Sequence, residues 1–327
     1  MGAHITDPSP THKTILRAIL SVALTGTVCA TVWSAQSQTP DWQVAAGSKM
    51  VFEDASVRQN TTAPSPDEVG SNFPLGPGDV YIPNGGHFRA FNFPLVVYIR
   101  FAYKITDSQE QFLLPELPNW VTSTRFDIQG TAQGNATKDQ MRLMMQSLLA
   151  DRFRLAVHYE TRQVPVYELL VDQPGTLGPL LQRHPDDIPC PTTFRSPPPS
   201  AAPVTIDSRF PITCGGLLNM APSAPRRFRA GARNVPMELI ASSMAGGASG
   251  LDRPVLDKTG LTGTFDFAIE FSPQPDDPSA AGGNFRADPT GPTFAEALKD
   301  QLGLKLKPQM GPFDVLVIDS VEELPAN

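Results

Sequence analysis

Two aspartates are the residues whose placement most suggests chemistry. Asp127 and Asp266 occupy matching positions in the triplets Phe-Asp-Ile and Phe-Asp-Phe. Two carboxylates held a few ångströms apart can perform acid–base catalysis. Alternation along a strand, however, places each aspartate opposite its flanking aromatic residues, on the solvent face of a one-sided sheet. We therefore interpret the pair as structural.

A second candidate is the segment Asp257-Lys258-Thr259-Gly260. It resembles the aspartyl-phosphate motif of cation pumps, which also need membrane helices and a nucleotide domain. Its last three residues resemble the third motif of serine β-lactamases and penicillin-binding proteins, which also need a Ser-x-x-Lys tetrad, and this chain has none. We predict a turn between two strands over residues 257–263, with Gly260 and Gly263 at positive φ.

The chain shows no recognisable catalytic motif. It lacks His-Glu-x-x-His, Gly-x-Ser-x-Gly and a phosphate-binding glycine loop. His87 and His158 are predicted to be surface or edge residues. We therefore assign no catalytic, cofactor-binding or metal-binding residue, expect no cofactor, and favour a protein that is not an enzyme.

Cys190 and Cys214 are 24 residues apart in a proline-rich stretch. In an exported chain, two such cysteines are most simply explained by a disulfide. A metal site that includes the nearby His184 is the alternative. On the chain-entropy model, a disulfide of this loop length contributes roughly 3 kcal/mol.

Charge and the N-terminus indicate where the protein is found. Lys13 and Arg17 precede an apolar run over residues 18–32 and the small residues Ser34-Ala35, a pattern typical of a signal peptide. We predict a signal peptide over residues 1–35 and a periplasmic or secreted protein without a membrane span after cleavage, with an uncleaved anchor as the alternative. The net charge is −7, and the basic residues cluster only at Arg226, Arg227, Arg229 and Arg233, which argues against nucleic acid as a partner.

An internal repeat organises the rest of the chain. Phe-Arg-Ala occurs at residues 88–90 and 228–230, and Asn-x-Pro at 92–94 and 234–236. Helices are predicted from capping boxes at Thr137 and Thr293, and the first carries a stripe of methionine and leucine. Each helix is followed by two strand-like runs, predicted to form hairpins over residues 154–171 and 304–318, the second turning at Gly311-Pro312.

The predicted fold is α+β, with two repeated β-α-β-(α)-β-β units and proline-rich loop insertions. The 34 prolines, about twice the usual share, concentrate in the connecting stretches. The predicted segments are a leader with strands (36–87), the first repeat (88–171), a proline-rich insertion with the cysteines (172–227), and the second repeat (228–327), interrupted by a loop at 272–292.

Two long motifs carry a family resemblance. Residues 135–153, reading Asn-Ala-Thr-Lys-Asp-Gln-Met-Arg and later Leu-Leu-Ala-Asp-Arg-Phe, and residues 253–263, reading Arg-Pro-Val-Leu-Asp-Lys-Thr-Gly-Leu-Thr-Gly, resemble a soil-associated family of uncharacterised exported proteins expanded in acidobacteria. The resemblance implies an envelope or secreted location and no known activity. The repeats also resemble the short N-terminal domain of secretins and TonB-dependent transducers, which binds partner proteins.

These observations favour a non-enzymatic binding or assembly module of the cell envelope. An envelope protein could add a strand to a sheet edge at Leu304, Lys305, Leu306 and Lys307, or at the last strand. An extracytoplasmic hydrolase is the competing hypothesis, and it would require a convergent polar cluster in a pocket built from both repeats. A sensory domain related to peptidase-linked sensors is a third.

Overall fold

A computed structural model describes residues 39–62, 69–79, 81, 83–186, 209–273 and 288–324. The predicted signal peptide lies outside these ranges. The strands are β1 (Asp54–Asn60), β2 (Gly70–Ser71), β3 (His87–Pro94), β4 (Arg125–Thr131), β5 (Ala156–Val171), β6 (Leu181–Arg183), β7 (Leu217–Asn219), β8 (Phe228–Pro236), β9 (Val255–Asp257), β10 (Thr264–Phe271) and β11 (Leu304–Ser320). The helices are α1 (Asp41–Ala46), α2 (Leu95–Ala102), α3 (Asp107–Leu113), α4 (Asn119–Ser123), α5 (Lys138–Phe153), α6 (Met237–Ser242) and α7 (Phe294–Leu302). The predicted α+β class is confirmed.

The two halves of the chain form four-stranded antiparallel sheets with the same strand order. The first sheet is ordered β1-β4-β3-β2 and the second β6-β10-β8-β7. The structural repeat is therefore longer than the repeated sequence. It includes β1 and β2 before residue 88 in the first half, and β6 and β7 before residue 228 in the second. The segment 172–227 had been interpreted as loop, but it supplies β6 and β7, whose three residues each are too few for a periodic pattern to show.

The register of the repeat differs from the one that the sequence suggests. In each sheet a β-bulge lies at an asparagine with left-handed backbone, Asn92 (φ 61°) and Asn234 (φ 56°). Aligning these bulges makes Ala90 equivalent to Ala232, so the two Phe-Arg-Ala triplets are two residues out of register. A shift of two residues leaves every side chain on its original face, so both triplets keep the same alternation relative to the sheet.

The helix predictions based on capping are confirmed. Thr137 accepts a hydrogen bond from the Gln140 backbone at the start of α5, and Thr293 accepts one from Glu296 at the start of α7. Pro94 is the residue immediately before α2. The predicted stripe of α5 faces the core, where its members are buried: Met141, Met144, Met145, Leu148 and Leu149.

The two predicted hairpins are wrong. Each is a single long strand, and β5 and β11 pair with each other along their entire length, from Leu304–Val171 to Ser320–Ala156. Gln163 faces Pro312 near the middle of the ribbon. Together with β9, which pairs in parallel with β5, they form a third sheet ordered β11-β5-β9.

The prolines that suggested turns are accommodated because of their register. Tyr167 donates its backbone N–H to Pro254 and Leu169 accepts from Lys258, so odd-numbered residues of β5 direct their backbone groups away from β11. Their partners on β11 are the even-numbered residues. The backbone N–H and C=O groups of these residues likewise point away from β5. Pro308 and Pro312 therefore remove no hydrogen bond between the two strands.

The ribbon joins two hydrophobic cores. The first core, around α2 and α5, contacts Val157 and Tyr159 from the start of β5 and Leu316 and Ile318 from the end of β11. The second core, around α6 and α7, contacts the opposite ends, at Leu169 and Leu304 among others. Each repeat thus completes its core with a strand from the other repeat.

Candidate functional site

The two aspartates singled out in the sequence hold the bulges. Asp127 accepts a hydrogen bond from the Asn92 backbone N–H at 2.8 Å, and Asp266 accepts one from that of Asn234 at 3.0 Å. Each aspartate also contacts a side chain at the end of an edge strand. Asp127 accepts a hydrogen bond from Asn60 of β1 at 2.8 Å, and Asp266 contacts His184, the residue after β6, at 2.7 Å. The structural interpretation of the pair fits these contacts, but each serves a different repeat.

The predicted solvent exposure of Asp266 is wrong, since it is only 2% exposed. Residues on either side of β7 contact the second sheet: Ser223 donates to Glu270, and Arg229 donates to the carbonyl oxygens of Arg209 and Ala221. Asp266 itself contacts His184 and the Asn234 backbone, which are far from it in sequence, so its burial was not predicted.

Two arginines of the predicted basic cluster pair with acidic residues. Arg227 forms ion pairs with Asp288 at 2.9 Å and Glu270 at 3.5 Å. Arg233 lies 3.7 Å from Asp266. Arg227 and Arg233 therefore form ion pairs within the second repeat.

The other predicted features are placed as follows. Residues between β9 and β10 form the expected turn, where Gly260 and Gly263 have φ of 71° and 86°, and Thr259 binds Asp257 as in an Asx turn.

Cys214 is buried, but Cys190 lies outside the described residues, so the disulfide stays a prediction.

The predicted partner surface lies at the start of β11. Leu304 is fully buried in the second core, Leu306 is half-buried, and Lys305 and Lys307 are exposed. Lys307 pairs with Glu168 on the neighbouring strand at 3.4 Å. Leu304 therefore cannot contact a partner without unfolding, and the accessible part of this surface is mostly charged.

A cavity of about 280 Å³ lies where loops of the two repeats meet. The first repeat contributes Lys138, Asp107 and the loop around Gly76–Gly78, and the second contributes residues 213–218 and Ser243. The loops approach so closely that a Cβ on Gly78 would lie 2.3 Å from the carbonyl oxygen of Gly215, so glycine is required at position 78.

Lys138 is the most unusual residue of this cavity. Its side chain is 5% exposed, and its ammonium group donates to the carbonyl oxygens of Gly76, at 2.9 Å, and Gly78. Desolvation, together with the charge of Arg142, lowers the pKa of Lys138 to about 7. At neutral pH a large fraction of this amine is therefore uncharged.

Arg142, one helical turn further along α5, fixes the same loop. It is fully buried between the rings of Trp42 and Phe101. Its guanidinium donates to the carbonyl oxygens of Gly76, Pro77 and Gly78 at 2.9–3.3 Å and pairs with Asp79 and Asp139. The loop thus provides carbonyl oxygens to two buried basic side chains, Lys138 and Arg142.

Asp107 and two hydroxyl side chains complete the polar lining. Desolvation raises the pKa of Asp107, although Arg100 pairs with it at 2.9 Å and its side chain remains about half exposed. Thr213 and Ser243 line the same cavity. Ligand sites commonly combine a concave surface with titratable groups of shifted pKa.

Sequence reasoning did not single out Lys138, although a signal was present. Lys138 and Arg142 continue the spacing of the buried stripe of α5, three residues before Met141 and Met145. Cations on the core face of a helix need a buried partner or a cavity.

Among the described residues, no group of three His, Cys, Asp or Glu could hold a metal ion, and no helix within the described ranges is long and apolar enough to cross a membrane.

Comparison with other proteins identifies a family and no function. No curated protein and no solved structure matches the chain. The predicted membership of an uncharacterised family is confirmed, whereas the link to soil acidobacteria and the resemblance to secretins stay predictions. The chain belongs to the family described as a protein of unknown function (DUF3738), whose model matches residues 97–321.

Proposed function

We propose that this protein is an exported, non-enzymatic binding protein that holds a small ligand in the cavity between its two repeats. The observation that carries the proposal is the convergence of loops from both repeats on a buried lysine, Lys138. The cavity volume is near the lower end of the range for ligand sites. Export is proposed from the N-terminal pattern of residues 1–35.

The cavity is a better candidate than the sheet edge. A partner strand on β11 would have to bind the backbone groups that face away from β5. Pro308 and Pro312 have no N–H to offer at two of these positions. Proline at such positions is a common device against edge-to-edge pairing.

Filling the cavity tests this proposal. The mature protein and a Ser243→Phe variant would be screened by thermal shift with benzoate, benzamide, succinate and glucose as probes. We expect at least one probe to stabilise the unmodified protein and Ser243→Phe to abolish that shift. Thr122→Phe, at an exposed position of α4, is the matched control. A probe that stabilises Ser243→Phe equally, or no stabilisation by any probe, would contradict binding in this cavity.

A hydrolase is the second candidate, supported by the polar side chains from both repeats that line this cavity. A lysine with a pKa near 7 can act as a general base, and Thr213 and Ser243 could supply a nucleophile. The test is hydrolysis of p-nitrophenyl acetate. Enzymatic turnover should fall in both Ser243→Ala and Lys138→Met, whereas a binding protein should show only the background rate of a heat-unfolded sample.

A further inference from the structure

Lys138 is a buried cation without a buried counter-ion. Among the described residues, no carboxylate lies within ion-pair distance of its ammonium group, which contacts only backbone carbonyl oxygens. Lysine is rarely this buried unless it is paired. Burial of an unpaired ammonium costs free energy, which the protein can avoid by losing the proton or by binding an anion.

The two nearest carboxylates pair with other cations and not with Lys138. Asp79 pairs with Lys104 at 2.8 Å and with Arg142 at 3.2 Å. Asp139 pairs with Arg142 and lies 4.0 Å from Lys104. The two carboxylates are therefore shared by two other cations. With Lys138 protonated, this cluster holds three positive charges and two negative charges.

None of the remaining charged groups near the cavity forms an ion pair with Lys138 among the described residues, although the group of Arg100, Asp107 and Glu110 carries one excess negative charge. Asp107 lines the cavity, but its carboxylate pairs with Arg100, which also binds Glu110 at 2.9 Å. Asp107 thus belongs to a separate ion-pair group on α2 and α3. The negative charge of Asp107 would repel a ligand anion, which must therefore bind away from this carboxylate.

We infer that the ligand of this cavity is a small organic carboxylate whose negative charge completes the pairing of Lys138. The inference rests on the proposed function and specifies its ligand class. An organic anion suits the lining better than a bare inorganic one, because Pro74, Pro77, Leu217 and Leu218 also line the cavity. Their apolar surface matches the body of such a ligand, and Lys138 its charged group.

Binding of this anion should be accompanied by proton uptake. In the free protein, desolvation and Arg142 lower the pKa of Lys138 to about 7. A neighbouring carboxylate favours the charged form and raises this pKa. Above pH 7 the complex therefore binds one more proton than its components, and the affinity falls by up to about tenfold per pH unit.

Titration calorimetry of the mature protein with benzoate and with its neutral analogue benzamide tests this inference. Titrations at pH 6.5, 7.5 and 8.5, each in two buffers of different ionisation enthalpy, report both affinity and proton uptake. We expect benzoate to bind more tightly than benzamide, with proton uptake rising toward one at pH 8.5. Lys138→Met should weaken benzoate by about 30-fold or more, the usual consequence of removing one partner of a buried charge pair.

Two variants separate charge from structure. Lys138→Arg keeps a cation that does not titrate in this range, so it should bind benzoate without proton uptake. Lys299→Met, which removes an exposed lysine on α7, should behave like the unmodified protein. If benzamide binds as tightly as benzoate, the carboxylate inference is wrong while cavity binding stands. If neither binds, and Ser243→Phe also leaves every other probe unaffected, both proposals are wrong.

Discussion

Asp266 holds the backbone N–H of Asn234 at 3.0 Å, across the bulge between two inner strands. The same relationship joins Asp127 and Asn92 in the first repeat, at 2.8 Å. The two carboxylates stabilise an asparagine in left-handed conformation just before a helix. This shared device explains why Phe-Asp and Asn-x-Pro both occur twice in the chain.

Asp266→Asn should destabilise the protein more than Asp127→Asn. Asp266 is buried and also binds His184, whereas Asp127 is half-buried. Loss of charge-assisted hydrogen bonds from a buried site costs about 2–3 kcal/mol, and about 1 kcal/mol at a site open to water. Urea unfolding measures both, with Asp319→Asn at an exposed position as the control. Equal losses for the two aspartates would contradict the assignment.

The asparagines should tolerate glycine but not alanine. Asn234 has φ of 56°, a region that costs a residue with a Cβ roughly 1–2 kcal/mol unless its side chain favours it. We expect Asn234→Ala to lower the free energy of unfolding by about that amount, and Asn234→Gly to have a much smaller effect. A larger loss for glycine than for alanine would show that the asparagine side chain, rather than its backbone conformation, matters.

Pro308 and Pro312 should keep the protein from associating through β11. Their positions face away from β5, so replacing both with valine restores two outward N–H groups without disturbing the ribbon. We expect the double variant to fold and to form concentration-dependent dimers or larger species, detected by light scattering after size exclusion. Gln309→Val adds an apolar side chain but its N–H faces β5, so it should remain like the unmodified protein. If the double variant unfolds instead, the prolines contribute to the fold itself.

Lys138 should make the protein more stable as pH rises from 7 to 9. Its pKa is about 7 in the folded protein and near the ordinary 10.5 when unfolded. Between these values the unfolded chain binds one more proton, so this residue contributes a slope of about 1.4 kcal/mol per pH unit that vanishes below pH 7. Guanidinium unfolding at pH 7, 8 and 9 measures the slope. Lys138→Met should lose it, and identical slopes in both proteins would contradict the lowered pKa.

The sequence by itself determined the α+β class, the helices that begin at Thr137 and Thr293, and the turn after β9. These features depend on neighbours within a few residues, such as capping partners, glycine and the spacing of apolar residues. It also revealed the repeat, since two copies of one bulge require the same residue types. It did not reveal the burial of Asp266, because the groups that surround its carboxylate, among them His184 and the Asn234 backbone, are far from it in sequence.

The tertiary structure alone decided how the repeats are joined and where the candidate site lies. Gly311-Pro312 reads as a turn in isolation, yet the chain stays extended there because β5 offers a partner strand in a register that needs no N–H from proline. In the same way, Lys138 reads as a solvated residue after a helix cap. Its burial by loops distant in sequence, around Gly78 and Gly215, is the main cause of its lowered pKa, and the charge of Arg142 in the same helix adds to it. Such long-range contacts leave no local pattern that a single sequence can display.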